Sequence, residues 1–156
     1  MDQEQRLTVA ARRERPTIVV IDHDASVRAL LRLHLANAGY EVVCAQDAIG
    51  GVHLVIEATP DVVICETKLP YLNGYEFVSA LRADPLTRGI PVVLLTVKGE
   101  VQQDAARLGV VALLKKPVAP DRLLEVVRLL GDAQSRVSWA VVEPGVRARR
   151  GGVQAS

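Results

Sequence analysis

Short apolar runs alternate with longer stretches of helical periodicity between residues 16 and 131. The apolar runs are rich in Val, Ile and Leu without polar alternation, which is typical of strands buried on both faces of a parallel sheet. In the longer stretches, apolar residues recur at the three- and four-residue spacing of a helix face. The predicted strands cover residues 17–21, 41–44, 61–65, 91–95 and 111–114. The alternation therefore predicts an α/β fold with a five-stranded parallel sheet.

Capping residues delimit the predicted helices. Asp24 precedes the first helix and is suited to accept hydrogen bonds from its free amides, while Gly39 ends it. Pro120 opens the last helix and Gly131 ends it. The predicted helices cover residues 25–38, 47–57, 74–83, 100–108 and 121–130. Five helices are therefore expected around the sheet.

Composition changes at both ends of this zone, which we predict to be a single domain at residues 16–131. Residues 1–15 are charged and have no apolar segment of a signal peptide, so we predict a flexible arm. Residues 132–156 are rich in Arg, Gly and Ser, and we predict a mostly disordered basic tail. Trp139, the only tryptophan, lies in an apolar patch of that tail. It either docks on the domain or a partner, or packs on nothing.

Charge and cysteine content narrow the expected partners. The chain has 19 Lys and Arg against 18 Asp and Glu, so its net charge of +1 attracts neither nucleic acid nor anionic lipid. We interpret Arg28 and the tail arginines as solvated side chains rather than nucleic-acid contacts. Cys44 and Cys65 lie inside apolar runs and are predicted to be reduced. We expect a cytoplasmic protein that binds neither membrane nor nucleic acid.

Polar side chains follow the predicted strands at the point where each strand ends. Asp22 and His23 follow the first strand, and Glu66 follows the third. Thr96 and Lys116 follow the fourth and the fifth. Ligands and chemistry collect at the carboxyl ends of the strands in an open parallel sheet. We therefore predict that a carboxylate, a hydroxyl and an ammonium converge on one edge.

Four segments around these residues carry a family resemblance. They are Ile-Asp-His-Asp-Ala-Ser-Val-Arg (21–28), Pro-Asp-Val-Val-Ile-Cys-Glu-Thr-Lys-Leu-Pro-Tyr-Leu-Asn-Gly (60–74), Val-Val-Leu-Leu-Thr (92–96) and Leu-Lys-Lys-Pro (114–117). In order and approximate spacing they resemble the receiver domains of response regulators, the CheY-like family. The resemblance covers about residues 16–131. It implies a doubly wound, flavodoxin-like receiver fold with strand order 2-1-3-4-5.

The resemblance also implies roles for the polar residues. In the family, an acidic pair holds Mg²⁺, an Asp accepts a phosphoryl group, and a Thr and a Lys contact its oxygens. Asp22 matches the first acid of the pair, Thr96 the hydroxyl and Lys116 the ammonium. His23 replaces the second acid, and Glu66 stands at the phosphoacceptor position. The site is therefore that of an atypical, degenerate receiver.

Further departures concern the switch that follows phosphorylation in the family. Leu113 matches the aromatic that usually swings inward, and it has no hydroxyl to offer. Val97 matches the small residue after the Thr, and Lys68 is expected to bring a cation close to Glu66. The interval from Thr96 to Lys116 is shorter than usual, which implies a trimmed fourth helix. The usual switch is predicted to be dismantled.

The replacement of Asp by Glu changes the chemistry. The Glu66 carboxylate extends about 1.5 Å farther from the backbone than an Asp carboxylate, which misplaces in-line attack on a phosphodonor. Glu66 is either a mimic of the phosphoryl charge or a relic paired with Lys116. Only Asp22 and Glu66 remain as Mg²⁺ ligands, so binding is expected to be weak or absent, with no other cofactor. The alternative is a transition-metal site of Asp22, His23 and Glu66.

These features predict a stand-alone adaptor that signals through protein contacts in a two-component type pathway without phosphorylation. Its partner, a histidine kinase or downstream effector, is expected on residues 100–130, which also form the expected homodimer face. The alternative is a conventional phosphotransfer receiver that takes phosphate from a histidine kinase with Mg²⁺. The chain has neither a glycine-rich phosphate loop nor a nucleophile elbow, so we expect no enzyme activity.

Overall fold

A computed structural model describes residues 15–97, 102–132, 139–142 and 149–150. Strands and helices alternate through its first two ranges, as the apolar pattern predicts. The strands there are β1 (Thr17–Ile21), β2 (Glu41–Ala45), β3 (Val62–Glu66), β4 (Val92–Thr96) and β5 (Ala112–Lys115). The helices are α1 (Ala25–Asn37), α2 (Ala48–Ala58), α3 (Gly74–Ala83), α4 (Gln102–Arg107) and α5 (Pro120–Asp132).

The first five strands form one parallel sheet in the order β2-β1-β3-β4-β5, which confirms the predicted fold class and topology. Cys65 is the register partner of Ile21, and Lys115 is the register partner of Thr96. The carboxyl ends of the strands therefore lie at the same edge of the sheet, where the polar side chains follow them.

Apolar side chains fill both sides of this sheet. On one side Val19 and Ile21 pack in a cluster with Phe77 of α3. On the other side Ile18 and Val20 pack in a cluster with Leu31 of α1. Every residue of β3 and β4 is buried, which is why these segments show no polar alternation. Burial on both faces fixes the strand ends that carry the site.

The helices begin and end near the predicted capping residues. The Asp24 side chain accepts a hydrogen bond from the Ser26 amide at the start of α1, and Gly39 follows the helix with a φ of +100°. The described helix α4 spans only 6 residues, as the short interval before Lys116 implies. None of the helices that the structure describes is both long enough and apolar enough to cross a membrane.

Two short strands occur within the tail that the sequence predicts to be mostly disordered. They are β6 (Trp139–Val142), which pairs parallel to β5, and β7 (Arg149–Arg150), which pairs antiparallel to β6. The described sheet therefore has seven strands, with β7 outermost beyond β5. The Val-rich sequence of β6 suits a strand, and α5 supplies the crossover that a parallel neighbour of β5 needs. The remainder of the tail and the predicted N-terminal arm lie outside the described residues.

Candidate functional site

The backbone continues the sheet ladder beyond the strand ends and so fixes the site residues. The amide of Asp22 donates to the carbonyl of Ala45 at 3.1 Å. The amide of Lys116 donates to the carbonyl of Thr96 at 2.7 Å. These bonds hold the segments after β1 and β5 in register with their neighbours. The side chains that follow the strands are thereby brought to one edge of the sheet.

Lys116 lies between two buried carboxylates. Its Nζ is 2.7 Å from Oδ2 of Asp22 and 3.0 Å from Oε1 of Glu66. The Asp22 side chain is fully buried, that of Glu66 is 3% exposed, and that of Lys116 is 16% exposed. Buried charges are costly unless they are paired and hydrogen-bonded. The ammonium group is therefore the counterion that allows both carboxylates to remain inside.

His23 engages the other oxygen of Glu66. Oε2 accepts a hydrogen bond from the His23 backbone amide and lies 2.5 Å from Nδ1 of its ring. Because an ionised carboxylate only accepts hydrogen bonds, the proton of this contact belongs to Nδ1. The ring remains about half exposed to solvent. Glu66 is thus held through both carboxylate oxygens, on one side by Lys116 and on the other by His23.

The pKa values of Asp22, Glu66 and Lys116 depend on one another, because the three groups are buried in contact. Burial raises the pKa of Asp22, and the Glu66 carboxylate adds to this, while Lys116 and the Asp24 amide act against it. Burial alone would raise the pKa of Glu66, but the hydrogen bonds to it outweigh burial, so its pKa is lowered. Burial opposes the charged form of Lys116, yet the two carboxylates outweigh it and raise the pKa of that ammonium. Glu66 and Lys116 therefore form the ionised pair.

The loop that carries Asp22 has further supports. Oδ1 of Asp22 accepts a hydrogen bond from the amide of Asp24 at 2.9 Å. A guanidinium nitrogen of Arg28 donates to the carbonyl of Asp22 at 2.8 Å. The interpretation of Arg28 as a solvated side chain is therefore wrong, because the helical turn places its guanidinium beside the loop that precedes α1. The Arg28 side chain thus binds the main chain of the loop that carries Asp22.

The arrangement does not fit Mg²⁺. This ion requires oxygen ligands in a near-ideal octahedron. Three of the four carboxylate oxygens of Asp22 and Glu66 accept hydrogen bonds from Lys116, His23 or the Asp24 amide. The fourth, the buried Oδ2 of Asp22, has an ion-pair contact with Lys116 at 2.7 Å but no hydrogen bond. The ammonium group also lies between the two carboxylates, where it competes with a divalent cation. The potential ligand atoms of Asp22, His23 and Glu66 lie within 4.8 Å of one another, but the same ammonium contact opposes a transition metal.

Other predicted site residues lie outside this network of charges. The Thr96 hydroxyl donates to the carbonyl of Val97 at 3.0 Å, so it is engaged with the main chain rather than with Glu66. Leu113 is buried in the apolar cluster that contains Phe77. Lys68 is exposed and, with His23, lines an open cleft of about 490 Å³ beside the site. The structure therefore brings Asp22, His23, Glu66 and Lys116 together, and leaves these three side chains outside the ion pairs.

Gly74 is a site residue to which the sequence analysis assigned no role. A Cβ atom at this position would lie 2.3 Å from the carbonyl oxygen of Glu66. The Gly74 amide donates to the carbonyl of Thr67 at 2.9 Å. Only glycine permits the start of α3 to approach the end of β3 this closely. The signal was present in the sequence, because the second family-like segment ends on this glycine.

Comparison with known proteins places the chain in a family. The family model described as "Response regulator receiver domain" matches residues 18–128, and the chain belongs to that family. The DNA-binding dual master transcriptional regulator RpaA of Synechocystis is 33% identical over 127 residues, which are 80% of this chain and 53% of that protein. The phosphate regulon transcriptional regulatory protein PhoB of Pseudomonas aeruginosa is 32% identical over 76% of this chain and 55% of its own length. The chain thus spans about half the length of these curated relatives.

Solved structures show the same fold. A putative response regulator from Chloroflexus aurantiacus has a TM-score of 0.70 and 30% identity, over 75% of this chain and 98% of its own. The chemotaxis response regulator CheY4 of Vibrio cholerae has a TM-score of 0.70 and 28% identity, over 74% of this chain and 98% of its own. The chain is therefore a two-component receiver by sequence and by fold.

Proposed function

We propose that this receiver acts as a signalling adaptor through protein contacts and does not depend on phosphorylation. The observation that carries the proposal is the engagement of both Glu66 oxygens, by Lys116 on one side and His23 on the other. A nucleophile must present a free oxygen in line with the phosphorus atom. Attack by either oxygen of Glu66 would require the contact of that oxygen, with His23 or with Lys116, to break while the side chain remained buried.

The missing metal ligand supports the same proposal. Phosphoryl transfer in this family requires Mg²⁺ to neutralise the phosphoryl oxygens, as the resemblance implies. In this chain His23 replaces one acid, and Lys116 binds the two acids that remain. A divalent cation that bound these two carboxylates would therefore have to displace the Lys116 ammonium from between them. Both buried carboxylates therefore already have a cationic partner without a metal.

Glu66 also reproduces part of a phosphorylated site. By the family resemblance, Lys116 is the residue that contacts phosphoryl oxygens, and here it contacts a Glu66 oxygen at 3.0 Å. The Thr96 hydroxyl is engaged with Val97, so the imitation extends to the lysine contact alone. On this hypothesis Glu66→Gln changes the affinity for the partner protein. An unchanged affinity in a calorimetric titration leaves Glu66 as a relic.

We place the partner surface on residues 100–130, which include the described parts of α4, β5 and α5. A histidine kinase or downstream effector is the proposed class of partner, and a second copy of the chain is the proposed homodimer. The support is positional: Lys116 lies within this range and joins it to Glu66 by an ion pair. A change at Glu66 is therefore transmitted to this surface through one side chain.

Incubation of the full chain with Mg²⁺ and acetyl phosphate tests the phosphorylation-independent function. Intact mass spectrometry is expected to show no added phosphoryl group on the wild-type protein. The matched variant is His23→Asp combined with Glu66→Asp, which restores the acidic pair and the shorter acceptor. This variant is expected to gain a labile phosphoryl adduct that depends on Mg²⁺.

The alternative function has a distinct outcome in the same experiment. A labile adduct on the wild-type chain that is absent from Glu66→Gln would establish a conventional phosphotransfer receiver. If neither the wild-type chain nor the double variant gains a phosphoryl adduct, residues other than His23 and Glu66 block the reaction. NMR spectra recorded with beryllofluoride provide a second readout that does not require turnover. The signals to follow are those of Asp22 and Lys116.

A further inference from the structure

The edge of β5 that faces away from β4 is paired with β6, which belongs to the tail of the same chain. Val141 and Val142 of β6 are the register partners of Ala112 and Leu113 of β5. Antiparallel pairing of β6 with β7 then places Arg149 opposite Ala140. The tail therefore forms a two-stranded hairpin that extends the sheet beyond β5.

The chemistry of β6 shows which kind of strand this edge accepts. The strand is uncharged and reads Trp-Ala-Val-Val, with the aromatic and β-branched residues that favour sheets. The outermost strand, β7, consists of two arginines. Charged residues on an edge strand discourage the addition of further strands. The uncharged strand β6 is thus suited to pair with β5, whereas the charged strand β7 is suited to end the sheet.

The pairing between β5 and β6 is short. The register contains two residue pairs, compared with the four pairs that join β4 to β5. A strand held by so few ladder bonds is easily displaced by a longer strand at the same edge. Along the chain, β6 follows the end of α5 after a short interval, and a short tether supplies an effective concentration of about millimolar. The covalent connection to α5 therefore contributes more to keeping β6 on β5 than the two residue pairs of the ladder do.

We infer that the β5 edge is a strand-addition site, occupied in cis by residues 139–142 and available to a partner segment that displaces them. The partner segment is an uncharged, β-branched strand that adds parallel to β5. The edge lies within residues 100–130, so the tail regulates access to the surface assigned to the partner. The partner half of this inference rests on the proposed adaptor function. Coverage of the edge by the tail does not rest on it.

Hydrogen exchange on the full chain tests the coverage. Val141→Pro removes an amide from β6 and fixes a backbone angle, which disrupts the ladder. The β5 amides that do not bond to β4 are expected to exchange at least about tenfold faster in this variant. Val153→Pro, which makes the same change in the tail beyond both strands, is the matched control and is expected to leave exchange unchanged. Equal exchange of β5 in wild type and Val141→Pro would overturn the inference.

A peptide with the sequence of residues 136–143 tests strand addition in trans. Added to the Val141→Pro chain at about millimolar concentration, it is expected to restore the slow exchange of β5. The same peptide carrying proline at position 141 is the control and is expected to restore nothing. Faster exchange that the peptide fails to slow would refute addition by a partner strand. Neither result depends on whether Glu66 accepts phosphate, so this test fails separately from the test of the proposed function.

Discussion

At the level of single residues, the site is organised by one cation. Lys116 contacts Asp22 at 2.7 Å and Glu66 at 3.0 Å, and both carboxylates are buried. The two carboxylates repel one another, and burial deprives each of its hydration. Their shared ammonium offsets both effects, and it also joins the pocket to residues 100–130, on which we propose the partner surface.

Removal of this ammonium is expected to destabilise the protein. Lys116→Met leaves two buried carboxylates without a counterion, and the free energy of unfolding is expected to fall by about 3 kcal/mol. Lys115→Met, the matched control at an exposed neighbouring position, is expected to change it by less than about 0.5 kcal/mol. Denaturant unfolding measures both values. Similar losses in the two variants would contradict the counterion role.

The same lysine predicts a pH dependence on the alkaline side. The pKa of Lys116 is raised in the folded state above its ordinary value of 10.5. Its contribution to stability is therefore fully present below 10.5 and is lost as pH rises through the raised pKa. In Lys116→Arg the guanidinium stays charged throughout this range, so the alkaline loss is expected to be smaller.

Thermal unfolding of both chains from about pH 9 to about pH 12 measures this difference. Other lysines and tyrosines titrate in both proteins, so only the difference between the two curves reports on Lys116. Parallel curves would show that its ionisation is not coupled to folding. The acidic side is less informative, because Asp22 has a raised pKa and Glu66 a lowered one, and these two groups act in opposite directions.

The sequence predicts which residues meet in this pocket but not how they bond. Asp22, Glu66 and Lys116 each follow a buried strand, and parallel strands bring such positions together. The double contact of His23 with Glu66 depends on side-chain rotamers, which no periodicity specifies. Arg82 illustrates the same limit. Its guanidinium donates to the carbonyls of Leu108 and Ile90, partners separated from it by 26 and 8 positions in the chain.

At the scale of elements, most helix ends follow from local residues, but the end of α2 does not. Thr59 follows this helix with a φ of 41° and a ψ of 63°, the left-handed conformation. This conformation usually requires glycine, and a β-branched residue adopts it only under strain. The sequence offers no glycine there, so the strain is visible only in the structure.

Thr59→Gly is expected to stabilise the protein. Glycine adopts the left-handed conformation without a steric penalty, so the free energy of unfolding is expected to rise by about 1 kcal/mol. Ala58→Gly, one position earlier and still inside α2, is the control with the opposite sign. It is expected to lower the same free energy by about 0.5 to 1 kcal/mol, because glycine disfavours a helix. A loss of stability in Thr59→Gly would show that the threonine makes compensating contacts.

At the scale of the whole molecule, the five βα repeats could be predicted because their signals are local and repeated. The order of the strands came from the family resemblance, and the structure confirms it. The tail strand β6 could not be predicted, since four apolar residues among arginines and glycines have no periodicity of their own. Its pairing depends on Ala112 and Leu113, which lie far back along the chain. Long-range pairing of this kind is not encoded in a local pattern.

The two edges of the described sheet have one chemical feature in common. At the β2 edge the guanidinium of Arg32 donates to the carbonyl of Val42 at 3.3 Å. At the opposite edge, beyond β6, the outermost strand is Arg149–Arg150. An open sheet with free edges is a template for end-to-end polymerisation, and basic residues at an edge suppress it. In the described sheet an arginine therefore lies at each edge, where it opposes the addition of further strands.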